Sequence, residues 1–182
     1  MARHKKISSG EIRPKIERWV IFESADGKKI RFPIYRIGPA ENGGIPEALC
    51  ARYAREVAAQ LFGRRYEPHH AWDFRYSYET IPVEGFLHLR KMHEKRRLLP
   101  GHLVGFYNPN SSYLSQRDKN GSVVAYTHVA AFLGEDIDNR LRFGHLVIRD
   151  RAADPDTEMQ KRRMKPIEII TDIRRKRPFS SY

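Results

Sequence analysis

Intramolecular disulfides are excluded from this chain, because its 182 residues contain a single cysteine, Cys50. A small secreted scaffold held together by cross-links is therefore ruled out, and the cysteine usage fits a reducing compartment. Long hydrophobic runs are missing too. Nothing reaches transmembrane length, and the basic start Met1-Ala2-Arg3-His4-Lys5-Lys6 precedes no apolar stretch of signal-peptide length. The expectation is a protein that is cytoplasmic as synthesised. Phage association, injection as an effector or non-classical export are the routes by which it would meet an outside target. No internal repeat occurs. Short metal-ligand pairs of the C-x₂-C or H-x₃-H type are absent, which argues against a metal site, and thiol chemistry at Cys50 would need neither a metal nor an organic cofactor. A tetrahedron of Cys50, His102, His128 and His145 is the one metal arrangement the residues would permit.

What is present starts with charge. The net charge of +12 is concentrated in three stretches. Residues 1–18 carry six Lys/Arg against two Glu, residues 85–102 five against Glu94, and residues 161–177 eight against Glu168 and Asp172. The remainder is slightly acidic. Basic ends around a near-neutral body imply attraction to an anionic polymer, whether nucleic acid, anionic lipid or cell wall. At 40% hydrophobic residues the chain has material for a real core, and one domain is the default at this length.

Hydrophobic periodicity orders that domain. Residues 18–23 and 29–35 flank Ala25-Asp26-Gly27 and predict a hairpin, with Ile30, Phe32 and Ile34 on one face. A Gly-rich loop leads to a helix over about 46–62, started by Pro46 and stopped at Gly63, with Cys50, Tyr53, Ala54, Val57, Ala58 and Leu61 as its apolar stripe. A short second helix is expected within 81–95. Strands are expected at 102–107, 122–133 and 140–148, the last two as antiparallel neighbours across a short turn. Between them, residues 108–121 form a polar loop with the turn signals Asn108-Pro109-Asn110 and Lys119-Asn120-Gly121, placed to face a substrate. The resulting organisation is a basic flexible leader at 1–15, one catalytic domain at 16–148 and a charged C-terminal extension at 149–182, with room for a short ordered stretch at 167–173.

Cys50 gives this α+β plan a chemical centre. A thiol in the opening turns of a helix meets unsatisfied N–H groups and the positive end of the dipole, which favour the thiolate. His128 and His145, on neighbouring strands, are candidates to bring an imidazole to it. Order and spacing then resemble the NlpC/P60 group of papain-like cysteine peptidases and amidases. The helix after Cys50, the turn and strand Pro100-Gly101-His102-Leu103-Val104, the run Thr127-His128-Val129-Ala130-Ala131-Phe132-Leu133-Gly134 and the Gly144-His145-Leu146 segment carry the likeness over roughly 44–148. His102 stands where the family's turn usually has Asp, and the residues before Cys50 lack the family's Asp/Asn-Cys-Ser character.

The resemblance implies a Cys-bearing helix packed on an antiparallel sheet, and hydrolysis of an amide, with peptidoglycan peptides as one substrate class. Cys50 would be the nucleophile, His128 its base and His145 the residue orienting His128. Tyr53, Trp72, Asp73 and Tyr107 are the candidate substrate-binding residues. The alternative reading is a basic nucleic-acid-binding or assembly protein with an inactive papain-like fold, in which aromatics such as Tyr76 and Tyr78 would stack on bases.

Overall fold

The computed structural model describes residues 14–45, 49–67, 69–145 and 163–176. Most of the basic leader, the expected helix start at Pro46, the end of the 140–148 strand and the Arg177-Pro178 segment lie outside these residues.

A hairpin opens the chain: β1 (Ile16–Glu23) pairs antiparallel with β2 (Lys29–Tyr35) across the predicted turn. Its inward residues Phe22, Phe32 and Tyr35 are buried. The tip docks on the main body through Ala25 N–H to Glu135 O at 2.8 Å and Ile137 N–H to Glu23 O at 3.0 Å.

The helix α1 (Cys50–Phe62) follows; it starts at Cys50 rather than near residue 46, because Leu49 at φ −104° and ψ 56° is not helical. Gly63, in the left-handed conformation at φ 66°, ends it by donating its N–H to Ala58 and Ala59, the chemistry for which glycine is favoured there. Beyond it come α2 (Phe74–Ser77), β3 (Tyr78–Pro82), α3 (Phe86–Glu94), β4 (Leu103–Tyr107), β5 (His128–Glu135), β6 (Leu141–Gly144) and β7 (Lys165–Arg174). The last five strands include a single sheet of order β3-β7-β4-β5-β6, antiparallel at every pairing.

Strand pleating divides the core between the two faces of this sheet. Val129, Ala131 and Leu133 of β5 join Ala54, Val57 and Ala58 of α1 in one cluster. Ala130 and Phe132 pack on the other face with Leu89 and Met92 of α3. Small residues on both α1 and β5 let the helix lie close to the strand. The fold is thus α+β, with the Cys-bearing helix packed on a multi-stranded antiparallel sheet.

Two expectations need correcting. The segment 149–182 is not merely a charged extension, because β7 lies inside the sheet between β3 and β4, with Ile169 and Ile170 fully buried. Its basic residues Lys165 and Arg174 sit at the strand's ends, around a buried centre of Glu168, Ile169 and Ile170. The expected long strand at 122–133 begins only at His128. Residues before it fold back on the preceding loop, where Arg117 bridges to Val123 and Val124 donates to Gln116. Tyr126 turns inward and lies over Gly105, where a Cβ would meet its ring at 2.7 Å. The short second helix expected within 81–95 is α3, which starts at Phe86 after β3 ends at Pro82.

Candidate active-site cleft

Cys50 is the first residue of α1, and its neighbour Leu49 provides no side-chain cap. The opening N–H groups of the helix are therefore left for other acceptors. Those of Cys50 and Ala51 turn toward the Cys50 sulfur, as does the N–H of Val129. The thiol in turn lies 3.9 Å from the carbonyl oxygen of Thr127. Cys50 is thus seated against β5 on both sides of His128, touching the backbone of the residues before and after it.

The expected depression of the thiol pKa does not hold in this environment. Burial pushes the Cys50 thiol up from its ordinary value, and the three N–H groups offset this only in part. Desolvation penalises the thiolate more than the helix start favours it.

His128 opens β5 directly opposite Phe106 of β4. Its ring lies on the Phe106 side of the sheet, with centroids 6.3 Å apart. His145, just after β6, meets it edge to face at 5.3 Å, with His128 Nε2 and His145 Nδ1 3.3 Å apart. Both imidazoles are buried. The sheet therefore brings together the two histidines singled out from the sequence, but on the Phe106 face, whereas Cys50 packs with α1 on the other face and touches only the strand backbone around His128.

His102 belongs elsewhere. It precedes β4 at the end remote from His128, and its carbonyl accepts from Phe132 N–H. Its Nε2 is 3.8 Å from Asp172, which Arg64 holds at 2.6 Å. Burial, with the neighbouring Arg64 charge, lowers the His102 pKa to about 4. The ring is a neutral structural group that can neither orient His128 nor complete a metal tetrahedron with Cys50. Among the described residues, no group of three or more His, Cys, Asp or Glu side chains could hold a metal ion.

A cleft of about 920 Å³ opens over the Cys50 end of α1. One wall is α1 itself, with Arg52 and Arg55; a second is the 69–73 segment with His69, His70, Trp72 and Asp73. The third is the polar loop, with Tyr113, Arg117 and Lys119, and Thr127 lies at its junction with β5. The substrate-facing position expected for 108–121 agrees with this geometry.

Of the four candidate substrate-binding residues, Trp72 and Asp73 line the cleft and the other two do not. Tyr53 is buried, packs edge to face on Tyr35 at 5.5 Å and donates to Pro33 O at 3.4 Å. It fastens the hairpin to α1. Tyr107 ends β4 in an exposed position outside the cleft. Asp73 is buried, and its carboxylate accepts the Lys119 N–H at 3.4 Å, so it braces the loop. The sequence reading missed Arg52, Arg55, Arg117 and Lys119 as cleft residues. For the two arginines a signal existed: they lie three apart on α1, outside its apolar stripe and within two turns of Cys50.

Against known protein families, curated proteins and solved structures, the chain has no match. Among the described residues, no helix is long and apolar enough to cross a membrane.

Proposed function

We propose that this chain is a cysteine-dependent amide hydrolase of the NlpC/P60 kind, acting on a substrate held in the cleft above Cys50. The observation that carries the proposal is the seating of the Cys50 sulfur on the strand backbone around His128, whose ring is in turn bonded to His145. Nucleophile, base and orienting group then come from the first turn of a helix and two adjacent strands.

In the reaction, the Cys50 sulfur bonds to the amide carbonyl carbon while His128 takes the thiol proton. N–H groups at the start of α1 stabilise the oxyanion. Collapse of the intermediate breaks the C–N bond, and His128 gives its proton to the departing amine. Water, deprotonated by His128, then cleaves the thioester, which releases the acid and returns the thiol. For Nδ1 of His128 to act as base, its Nε2 must carry the hydrogen and donate to His145 Nδ1. This tautomer fits the separation of 3.3 Å between those two atoms.

A half-buried thiol whose pKa is raised by desolvation needs such a base at the moment of attack. The contacts described for the Cys50 sulfur are with backbone groups, and the His128 ring lies on the Phe106 face of the sheet while Cys50 packs with α1 on the other, so the reaction requires His128 to turn across the strand end toward the thiol before attack. Peptidoglycan peptides are the first substrates to try, on the family likeness alone. The test is a screen of purified protein against peptidoglycan fragments and other amides, repeated with Cys50→Ala. Hydrolysis that disappears in the variant supports the proposal. Hydrolysis that persists at the full rate, after contaminating enzymes are excluded, ends it.

A further inference from the structure

Beside the thiol, the cleft carries three aromatic rings in succession. His70 and Trp72 stack face to face, with centroids 5.0 Å apart and planes within 5°. Tyr113 approaches Trp72 at 6.2 Å with a tilt of 41°. The ladder is assembled from two separate segments, 69–73 and the 108–127 loop. Trp72 rests partly on the core, but His70 and Tyr113 are exposed, and Tyr113 keeps 43% of its surface in solvent. Rings used only for packing would be covered.

Cations flank the ladder. Arg52 and Arg55 stand on the helix wall, and Arg117 and Lys119 on the loop wall. Two carboxylates also line the cleft, but both are engaged by the protein. Asp118 accepts from the Tyr76 hydroxyl and from the N–H groups of Asn120 at 2.9 Å and Ser122 at 3.0 Å. Asp73 accepts from Lys119 N–H. The cleft therefore offers a surplus of positive charge next to stacked rings.

This combination suits a ligand with a flat π-face and an anionic group attached to it. Acidic peptides satisfy the charges and leave the ladder unused, and a neutral sugar does the reverse. We infer that the cleft binds a nucleotide unit, its base stacked on the Trp72–Tyr113 part of the ladder and its phosphate among the arginines and Lys119. The tilt of Tyr113 and its place on an exposed loop allow its ring to align with an incoming base. Tyr76 and Tyr78, the aromatics that the sequence suggests for stacking, are unsuited. Tyr78 is buried, and the Tyr76 ring is capped by Lys119 Nζ at 4.8 Å.

The nucleotide unit could be free or part of a single strand, and one titration separates these sources. Full-length protein is titrated into labelled oligothymidylate of about 12 nucleotides, a length within the site sizes of single-strand binders, with anisotropy as readout. Binding is read without turnover, so it stands or falls independently of the thiol chemistry. Trp72→Leu and Tyr113→Ala should each weaken it by about tenfold or more, the effect expected for one lost stacking partner. Tyr107→Ala, outside the cleft, should leave it unchanged. Arg117→Glu with Lys119→Glu should lower the affinity and flatten its salt dependence. Displacement by thymidine monophosphate assigns the site to free nucleotides; competition only by oligonucleotides assigns it to a strand. Heparin, a polyanion without bases, should bind Tyr113→Ala as it binds the unaltered protein. The inference is overturned if oligothymidylate and thymidine monophosphate both fail to bind. It is equally overturned if Trp72→Leu and Tyr113→Ala both bind like the unaltered protein, which would leave only nonspecific attraction between charges.

Discussion

His102 and His128 occupy opposite ends of the β4–β5 ladder and have opposite surroundings. His102 faces Asp172 and Arg64, in a site where burial and the guanidinium keep the ring neutral. His128 faces a second imidazole, and the backbone on either side of it cradles the Cys50 sulfur. Both rings are buried on one sheet, so burial alone does not distinguish a structural histidine from a candidate base. The neighbours do: an ion pair that fixes one ring, against a second imidazole bonded to the other.

The largest effects should appear in turnover, on a substrate identified by the screen. His128→Ala is expected to lower kcat by about 10²–10⁴-fold, the usual contribution of a positioned base. His145→Ala should cost less, because nucleophile and base remain. His102→Ala should leave kcat nearly unchanged while lowering the denaturation midpoint. A kcat loss in His102→Ala as deep as in His128→Ala would break the contrast between the two ends.

Stability should follow His102 as pH falls. Its folded pKa, lowered to about 4, lies below the ordinary value of 6.5, so the unfolded chain takes up the proton first. The stabilisation is complete above about pH 6.5 and lost progressively toward pH 4, by up to about 3 kcal/mol. Urea melts across this range, compared with His102→Gln, should show the dependence flattened in the variant. An unchanged slope would remove His102 as its source.

Smaller losses are expected from the groups that hold that end in place. Arg64→Ala removes the partly exposed pair with Asp172 and a 2.9 Å bond to Pro100 O, and should cost about 1–2 kcal/mol in urea unfolding. Tyr53→Phe deletes a single hydroxyl bond to Pro33 O and should cost about 0.5–1.5 kcal/mol without altering turnover. A specific rise in KM for that variant would return Tyr53 to the substrate site.

Much of this contrast was legible from local pattern. The Ala25-Asp26-Gly27 turn, the apolar stripe of α1 and its Gly63 stop depend on neighbours within a few residues, and all appear where periodicity places them. So does the pairing of β5 with β6, which carries His128 toward His145. What was hidden depends on distant partners. The inner position of β7 requires β3 and β4 on its two sides, and its flanking charges resemble those of a solvated tail. Whether Tyr53 faces a substrate or a hairpin depends on Tyr35, eighteen positions away in sequence. The thiol pKa was misjudged for a similar reason. A helix start can be read from sequence, whereas the desolvation that outweighs it comes from the strand packed against the sulfur.

Acylation of the thiol separates the two histidines most directly. The protein is mixed with an activated ester, and the mass of the intact chain is followed for the adduct on Cys50, in the unaltered protein, His128→Ala and His102→Ala. With His128 as the base for Cys50, His128→Ala acylates about a hundredfold more slowly or worse, while His102→Ala keeps pace with the unaltered protein. Equal rates in all three would contradict the assignment of His128 as the base.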